Sequence, residues 1–150
     1  MKYCLVCWVL AAVGLASPAA AAEAASGDEV RAAVQAVCPV SGVKLGEHGP
    51  PVKAKIGEEN VFLCCEACLK GKVSPEHWAT IHTNFREAQG TCPIMGGKLP
   101  ASAKWTVVEG QIVYVCCPPC IEKIKAAPAD ALEKLDANYR ASLARTNDGQ

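Results

Sequence analysis

The apolar positions of this chain change period several times, and each change marks an element. Tyr3 to Ala16 is a continuous apolar run behind one cation, Lys2, and Ser17-Pro18 then breaks it. Ala20-Ala21-Ala22 before Glu23 supplies the small-residue cleavage pattern of a secretory leader. The run is short of the ~20 residues that a membrane span needs. Residues 1–22 are therefore read as a signal peptide, which removes Cys4 and Cys7 on export. Asp28 to Val37 predicts a lead-in helix within a 23–37 segment. Two β-branched stretches, Val52 to Ile56 and Val61 to Cys64, flank the polar turn Gly57 to Asn60 and predict a hairpin. Trp105 to Glu109 and Ile112 to Cys116 predict a second one around Gly110-Gln111. Ser74-Pro75-Glu76 is a helix start, with serine as cap, proline at the first helical position and an acid in the first turn. Trp78, Ile81 and Phe85 form its apolar stripe, and Gly90 stops it. Pro128 opens a matching helix with Leu132, Leu135, Tyr139 and Leu143 on one face. Thr146 to Gln150 reads as a frayed tail.

These elements come twice. Cys38-Pro39-Val40-Ser41-Gly42-Val43-Lys44-Leu45 recurs as Cys92-Pro93-Ile94-Met95-Gly96-Gly97-Lys98-Leu99, an offset of 54. Val61-Phe62-Leu63-Cys64-Cys65-Glu66-Ala67-Cys68 recurs as Val113-Tyr114-Val115-Cys116-Cys117-Pro118-Pro119-Cys120, an offset of 52. Trp78, Ile81 and Phe85 correspond to Leu132, Leu135 and Tyr139. One unit has been copied, giving modules at 38–89 and 90–145 and a tail at 146–150. A short helix after each Cys-Cys-x-x-Cys cluster, then a longer one, completes the unit.

Charge narrows the function classes. Fifteen basic side chains balance fifteen acidic ones, and loss of Lys2 with the leader leaves a slight negative excess. A phosphate-binding surface shows a basic excess, so nucleic acid is disfavoured, and no block of like charge suggests a membrane patch.

The mature chain keeps eight cysteines in register. In an exported protein an even count reads first as a disulfide framework, but the spacing argues against that here. Three of the four thiols in each unit lie within five residues, and adjacent cysteines bridge each other only with strain. Below about 70–80 residues a core supplies at most ~3–5 kcal/mol, so each unit needs a staple. Tetrahedral thiolate coordination uses all four sulfurs without strain. The candidate ligands are Cys38, Cys64, Cys65 and Cys68 in the first unit, and Cys92, Cys116, Cys117 and Cys120 in the second. Zn²⁺ suits such a cage, with Cu⁺ as the alternative and about two ions per chain.

Cys38-x25-Cys64-x3-Cys68 and Cys92-x23-Cys116-x3-Cys120, each with an aromatic strand before the second cysteine, resemble the TRASH module (trafficking, resistance and sensing of heavy metals) and the related YHS module. The resemblance covers most of the mature chain, twice. It implies a treble-clef-like zinc fold and roles in heavy-metal binding, trafficking or sensing, with Cys38, Cys64, Cys68, Cys92, Cys116 and Cys120 as ligands. The first gap is longer than the family's, and an extra cysteine, Cys65 or Cys117, follows the second ligand. That extra thiol is read as the fourth ligand.

Other residues are weighed and set aside. Cys117-Pro118-Pro119-Cys120 has the form of a redox Cys-x-x-Cys, but its counterpart is Cys65-Glu66-Ala67-Cys68 and no βαβ pattern surrounds either. His48, His77 and His82 have no histidine counterparts in the second unit and are assigned to the surface or a helix face. Met95 reads as a gap-filling residue, and Trp78 and Trp105 as core. A closed four-thiolate site leaves no position for substrate, so an enzyme is not expected. The expectation is a small α+β protein of two tandem treble-clef-like modules, periplasmic or secreted. It would carry, buffer or sense zinc or copper, with a metal-transport or resistance protein as partner. The rivals are an interaction module held by structural zinc or disulfides, and a thiol redox protein.

Overall fold

The computed structural model describes residues 26–147. The signal-peptide reading of residues 1–22 and the last three residues of the expected tail lie outside them. Helix α1 (Gly27–Gln35) leads into a hairpin of β1 (Val52–Ile56) and β2 (Glu59–Leu63), a 3-10 helix (Glu66–Lys70) and α2 (Pro75–Gln89). A second hairpin, β3 (Lys104–Val108) with β4 (Gln111–Val115), is followed by α3 (Pro119–Ala126) and α4 (Pro128–Asn147). The protein is thus small α+β, with two separate two-stranded antiparallel sheets.

Local chemistry explains these elements. Ser26 and Glu29 form a capping box on α1: Ser26 Oγ accepts the Glu29 N–H at 3.3 Å, and the Glu29 carboxylate accepts the Ser26 N–H at 2.7 Å. Glu109 and Gly110 both have positive φ, 51° and 79°, as a two-residue type I′ turn demands. That tight turn starts β4 at Gln111, so strand pairing runs from Val108↔Gln111 to Lys104↔Val115. In the first hairpin it runs from Ile56↔Glu59 to Val52↔Leu63. Both return strands begin and end earlier than the sequence pattern suggests, which leaves Cys64 and Cys116 just beyond the ladder. The helices after the two clusters differ. Gly71 follows the first immediately, whereas Lys123, its counterpart, continues α3 behind Pro118-Pro119.

The repeat reaches further upstream than the cysteines. Gln35 Nε2 donates to the Phe62 carbonyl at 2.6 Å, and Gln35 Oε1 accepts the Phe62 N–H at 2.8 Å. Gln89 does the same to Tyr114, at 2.7 and 2.8 Å. Each amide thereby stands in for a neighbouring strand on the free edge of β2 or β4. The turn after each glutamine is also duplicated: Leu45 N–H bonds Ala36 O at 2.8 Å, and Leu99 N–H bonds Gly90 O at 2.9 Å. Helix α1 therefore opens the first unit as α2 opens the second, and α2 both closes one and opens the other.

Most of the core is shared. Val30 and Val34 of α1, Ile81 and Phe85 of α2, and Leu135 and Tyr139 of α4 pack with β4 in one cluster. The Phe85 and Tyr139 rings, counterparts in the repeat, meet with centroids 5.7 Å apart. Cys38, Leu63 and Cys64 form a much smaller cluster under the first hairpin.

Several expectations need correction. The expected lead-in helix is present as α1 and packs into the shared core, whereas α4 continues through Thr146 to Asn147 before the described residues end. Ser74 caps α2 by position, but its side chain makes no capping hydrogen bond. Trp105 is 47 % exposed and Met95 63 % exposed, so neither fills the core. His48 is exposed as expected, but His82 is mostly buried where the two units meet. Its Nδ1 lies 2.9 Å from the Tyr114 hydroxyl and its Nε2 3.3 Å from a Glu59 carboxylate oxygen.

The two cysteine turns offer a direct comparison. Gly42 and Gly96 have nearly equal positive φ, 72° and 70°. A Cβ at Gly96 would meet nothing within 4 Å, whereas one at Gly42 would fall 2.5 Å from His77 Nε2. Gly96→Ala is expected to cost about 1–2 kcal/mol of backbone strain, and Gly42→Ala measurably more. Urea unfolding of both variants checks this. Adding His77→Ala to Gly42→Ala is expected to bring its cost back to that of Gly96→Ala.

Candidate metal centre

Each centre is assembled from a turn, a strand end and a helix start. Cys38 is fully buried and enters a tight loop, its N–H bonded to Val43 O at 2.8 Å and its carbonyl accepting the Gly42 N–H at 2.9 Å. Cys92 repeats this with Gly97 and Gly96 at 2.9 and 2.8 Å. Cys64 follows β2 directly. Cys65 has extended backbone (φ −165°, ψ 165°), and the Cys68 N–H bonds back to the Cys65 carbonyl at 3.2 Å. The extended residue turns the chain so that the flanking thiols face the same side.

The sulfurs of Cys38, Cys64 and Cys68 all lie within 4.8 Å of one another, and so do those of Cys92, Cys116 and Cys120. All eight cysteines among the described residues are free thiols. Cys65 Sγ is 3.8 Å from Cys64 Sγ and 3.9 Å from Cys68 Sγ. The Cys64–Cys68 separation is 3.7 Å. Cys65 is not part of the triad that includes Cys38. In the second centre Cys116–Cys117 is 3.8 Å, Cys116–Cys120 3.9 Å and Cys117–Cys120 3.3 Å. Cys117 is likewise not part of the triad that includes Cys92. Sulfurs bound at 2.3 Å to a tetrahedral ion are about 3.8 Å apart, so most of these separations already match a soft cation. Of the eight sequence candidates, six form two tight triads, and Cys65 and Cys117 each lie within 3.9 Å of two triad sulfurs.

The protons are unevenly held. Burial works against ionising Cys38, but hydrogen bonds from the Ser41 hydroxyl and from the Ser41, Cys64 and Val40 backbone together bring its thiol down to about 6. Burial likewise opposes Cys92, and backbone donors at Cys116, Met95 and Ile94 outweigh it and lower the thiol. Burial, reinforced by neighbouring sulfurs, pushes Cys68 and Cys120 up to about 12. Cys65 is lowered, chiefly by the Cys68 backbone, and Cys117 by the Cys120 thiol. Each cluster thus mixes stabilised thiolates with thiols that keep their protons, and a soft cation would displace those protons.

Ser41 is a contributor that the sequence reading passed over. Its Oγ is 3.3 Å from Cys64 Sγ, and Met95 occupies the equivalent position in the second unit without such a bond. The signal was a polar residue inside an otherwise apolar Cys-Pro-Val-Ser turn. None of the three histidines is part of either triad. Among the described residues no helix is long and apolar enough to cross a membrane. No protein-family model, curated protein or solved structure matches this chain.

Proposed function

We propose that this is an exported heavy-metal binding protein that takes up one zinc or Cu⁺ ion per unit. The observation that carries this reading is the pair of cysteine triads, each within 4.8 Å, built twice from the same elements. The resemblance to the TRASH and YHS modules, with a treble-clef-like fold in each unit, agrees with that chemistry. The role is carrier or buffer rather than catalyst, and the partner is a metal-transport or resistance protein. The leader-like residues 1–22 support a periplasmic or secreted location.

Native mass spectrometry of the reduced mature protein titrated with Zn²⁺ is the test. Two tightly held ions per chain are expected. A protein that binds none, and that as purified carries its eight cysteines as four disulfides, would overturn the reading in favour of a disulfide scaffold.

A second reading has one observation behind it. Cys117 and Cys120 sulfurs are 3.3 Å apart at the start of α3. Thiol–disulfide exchange there would show as reversible oxidation of those two residues alone, with the first unit unaffected.

A further inference from the structure

The first sulfur of each centre has matching backbone support. Backbone groups at Val40, Ser41 and Cys64 hydrogen-bond to Cys38, and those at Ile94, Met95 and Cys116, their counterparts in the repeat, do the same to Cys92. Gly42 and Gly96 have φ of 72° and 70°, and each donates its N–H to the carbonyl of the first cysteine, at 2.9 and 2.8 Å. The two turns therefore present residues 41 and 95 from matching places. What they present differs. Ser41 Oγ lies 3.3 Å from Cys64 Sγ and also hydrogen-bonds to Cys38. It accepts the Val43 N–H at 3.4 Å, which leaves its own hydrogen for sulfur. Met95 has no hydrogen to donate, and its side chain is exposed. Burial alone does not rank the centres, because Cys64 is more buried than Cys116 while Cys120 is more buried than Cys68.

We infer that the two centres are unequal and that Ser41 sets them apart, its hydroxyl stabilising the metal-bound thiolates of the first unit, which loads before the second. This rests on the metal-binding reading above and adds to it an order of filling. Once a cation has displaced the thiol protons, Cys38 and Cys64 carry none, and the Ser41 hydroxyl becomes the donor in the contact. Three thiolates around a divalent ion leave a net negative charge, and a hydrogen bond to a charged acceptor is about twice as strong as one between neutral groups. Ser41 acts through the ligands and does not touch the ion. The same backbone without that hydroxyl, as in the second unit, leaves the charge to solvent.

Zn²⁺ affinity is measured by chelator competition on the whole mature protein carrying Cys116→Ser, which isolates the first centre, or Cys64→Ser, which isolates the second. The first centre is expected to bind about tenfold more tightly or better, the usual weight of a hydrogen bond to a metal ligand. Ser41→Ala is expected to remove about tenfold from the first centre and leave the second unchanged, Ser41→Thr to retain the affinity, and Met95→Ser to bring the second centre toward the first. Co²⁺ in place of Zn²⁺ supplies a readout that loosened packing does not move. Loss of the donor raises the energy of the sulfur electrons, so the sulfur-to-metal absorption of the first centre is expected at longer wavelength in Ser41→Ala. Parental affinity and an unmoved absorption in that variant would overturn the inference and show that water replaces the hydroxyl. A first centre no tighter than the second would overturn the order of filling, and weakening of both centres by Ser41→Ala would mark a folding defect and overturn the role of the hydroxyl. Failure of the parent protein itself to bind Zn²⁺ would instead remove the metal-binding reading, and this inference with it.

Discussion

Replacing Cys64 by serine is expected to reduce the metal content from two ions per chain to one. Cys64 belongs to the first triad and has sulfur neighbours at 3.7 and 3.8 Å, so its loss breaks that triad. A hydroxyl is a poor donor to Zn²⁺ or Cu⁺ beside thiolates. Cysteine zinc sites in small domains bind with roughly 10–16 kcal/mol at neutral pH, and one lost sulfur forfeits about a quarter of that. The affinity of the first site should therefore fall by about 10²–10³-fold. Cys116→Ser is expected to do the same to the second site and leave the first intact. Native mass spectrometry at limiting Zn²⁺, with competition titrations for the surviving ion, measures both. Loss of both ions from either single change would contradict two independent centres.

The second large effect is expected far from any sulfur. Gln89→Leu keeps most of the side-chain volume at a position only 2 % exposed. It removes the acceptor of the Tyr114 N–H and the donor to the Tyr114 and Thr91 carbonyls. Each buried backbone group left without a partner costs about 1–3 kcal/mol, so a total of about 3–9 kcal/mol is expected for the three. Against the ~5–15 kcal/mol that hold a small domain folded, this brings the chain close to unfolding. Gln35→Leu orphans the matching groups on Phe62 and Val37. Urea denaturation of the metal-free proteins gives the comparison, and a change below about 1 kcal/mol in Gln89→Leu would show that water replaces the amide without loss.

The contrast between these experiments follows what a sequence can and cannot display. The cysteine register, the hairpins and the span of α2 were legible because each depends on local rules: spacing, β-branching, a proline at the start and a glycine at the stop. Gln35 and Gln89 carry no such mark. An isolated glutamine at the end of an amphipathic helix reads as solvated, and its purpose emerges only when a strand edge lies beside it. Comparing the units from Gln35-x-x-Cys38-Pro39 and Gln89-x-x-Cys92-Pro93, rather than from the cysteines, would have exposed the pair. The position of Cys65 was illegible for another reason. Adjacent cysteines fix the distance between their α-carbons, but the extended backbone at Cys65 decides which way its sulfur turns. Trp105 and Met95 were misplaced because hydrophobicity alone does not say which face of a two-stranded sheet, or which side of a turn, remains uncovered.

The doubled role of α2 makes the architecture extensible. A helix that closes one unit and opens the next is the connection of an array, in which each added copy needs only one hairpin, one cysteine cluster and one helix. Such an array propagates through the buried amide at the end of each helix, present at Gln35 and again, 54 positions on, at Gln89. The next position in that series, near the end of α4, is Leu143, and its side chain packs against the shared core. A leucine cannot pair with a strand edge. Helix α4 therefore lacks the amide through which α1 and α2 each brace a hairpin.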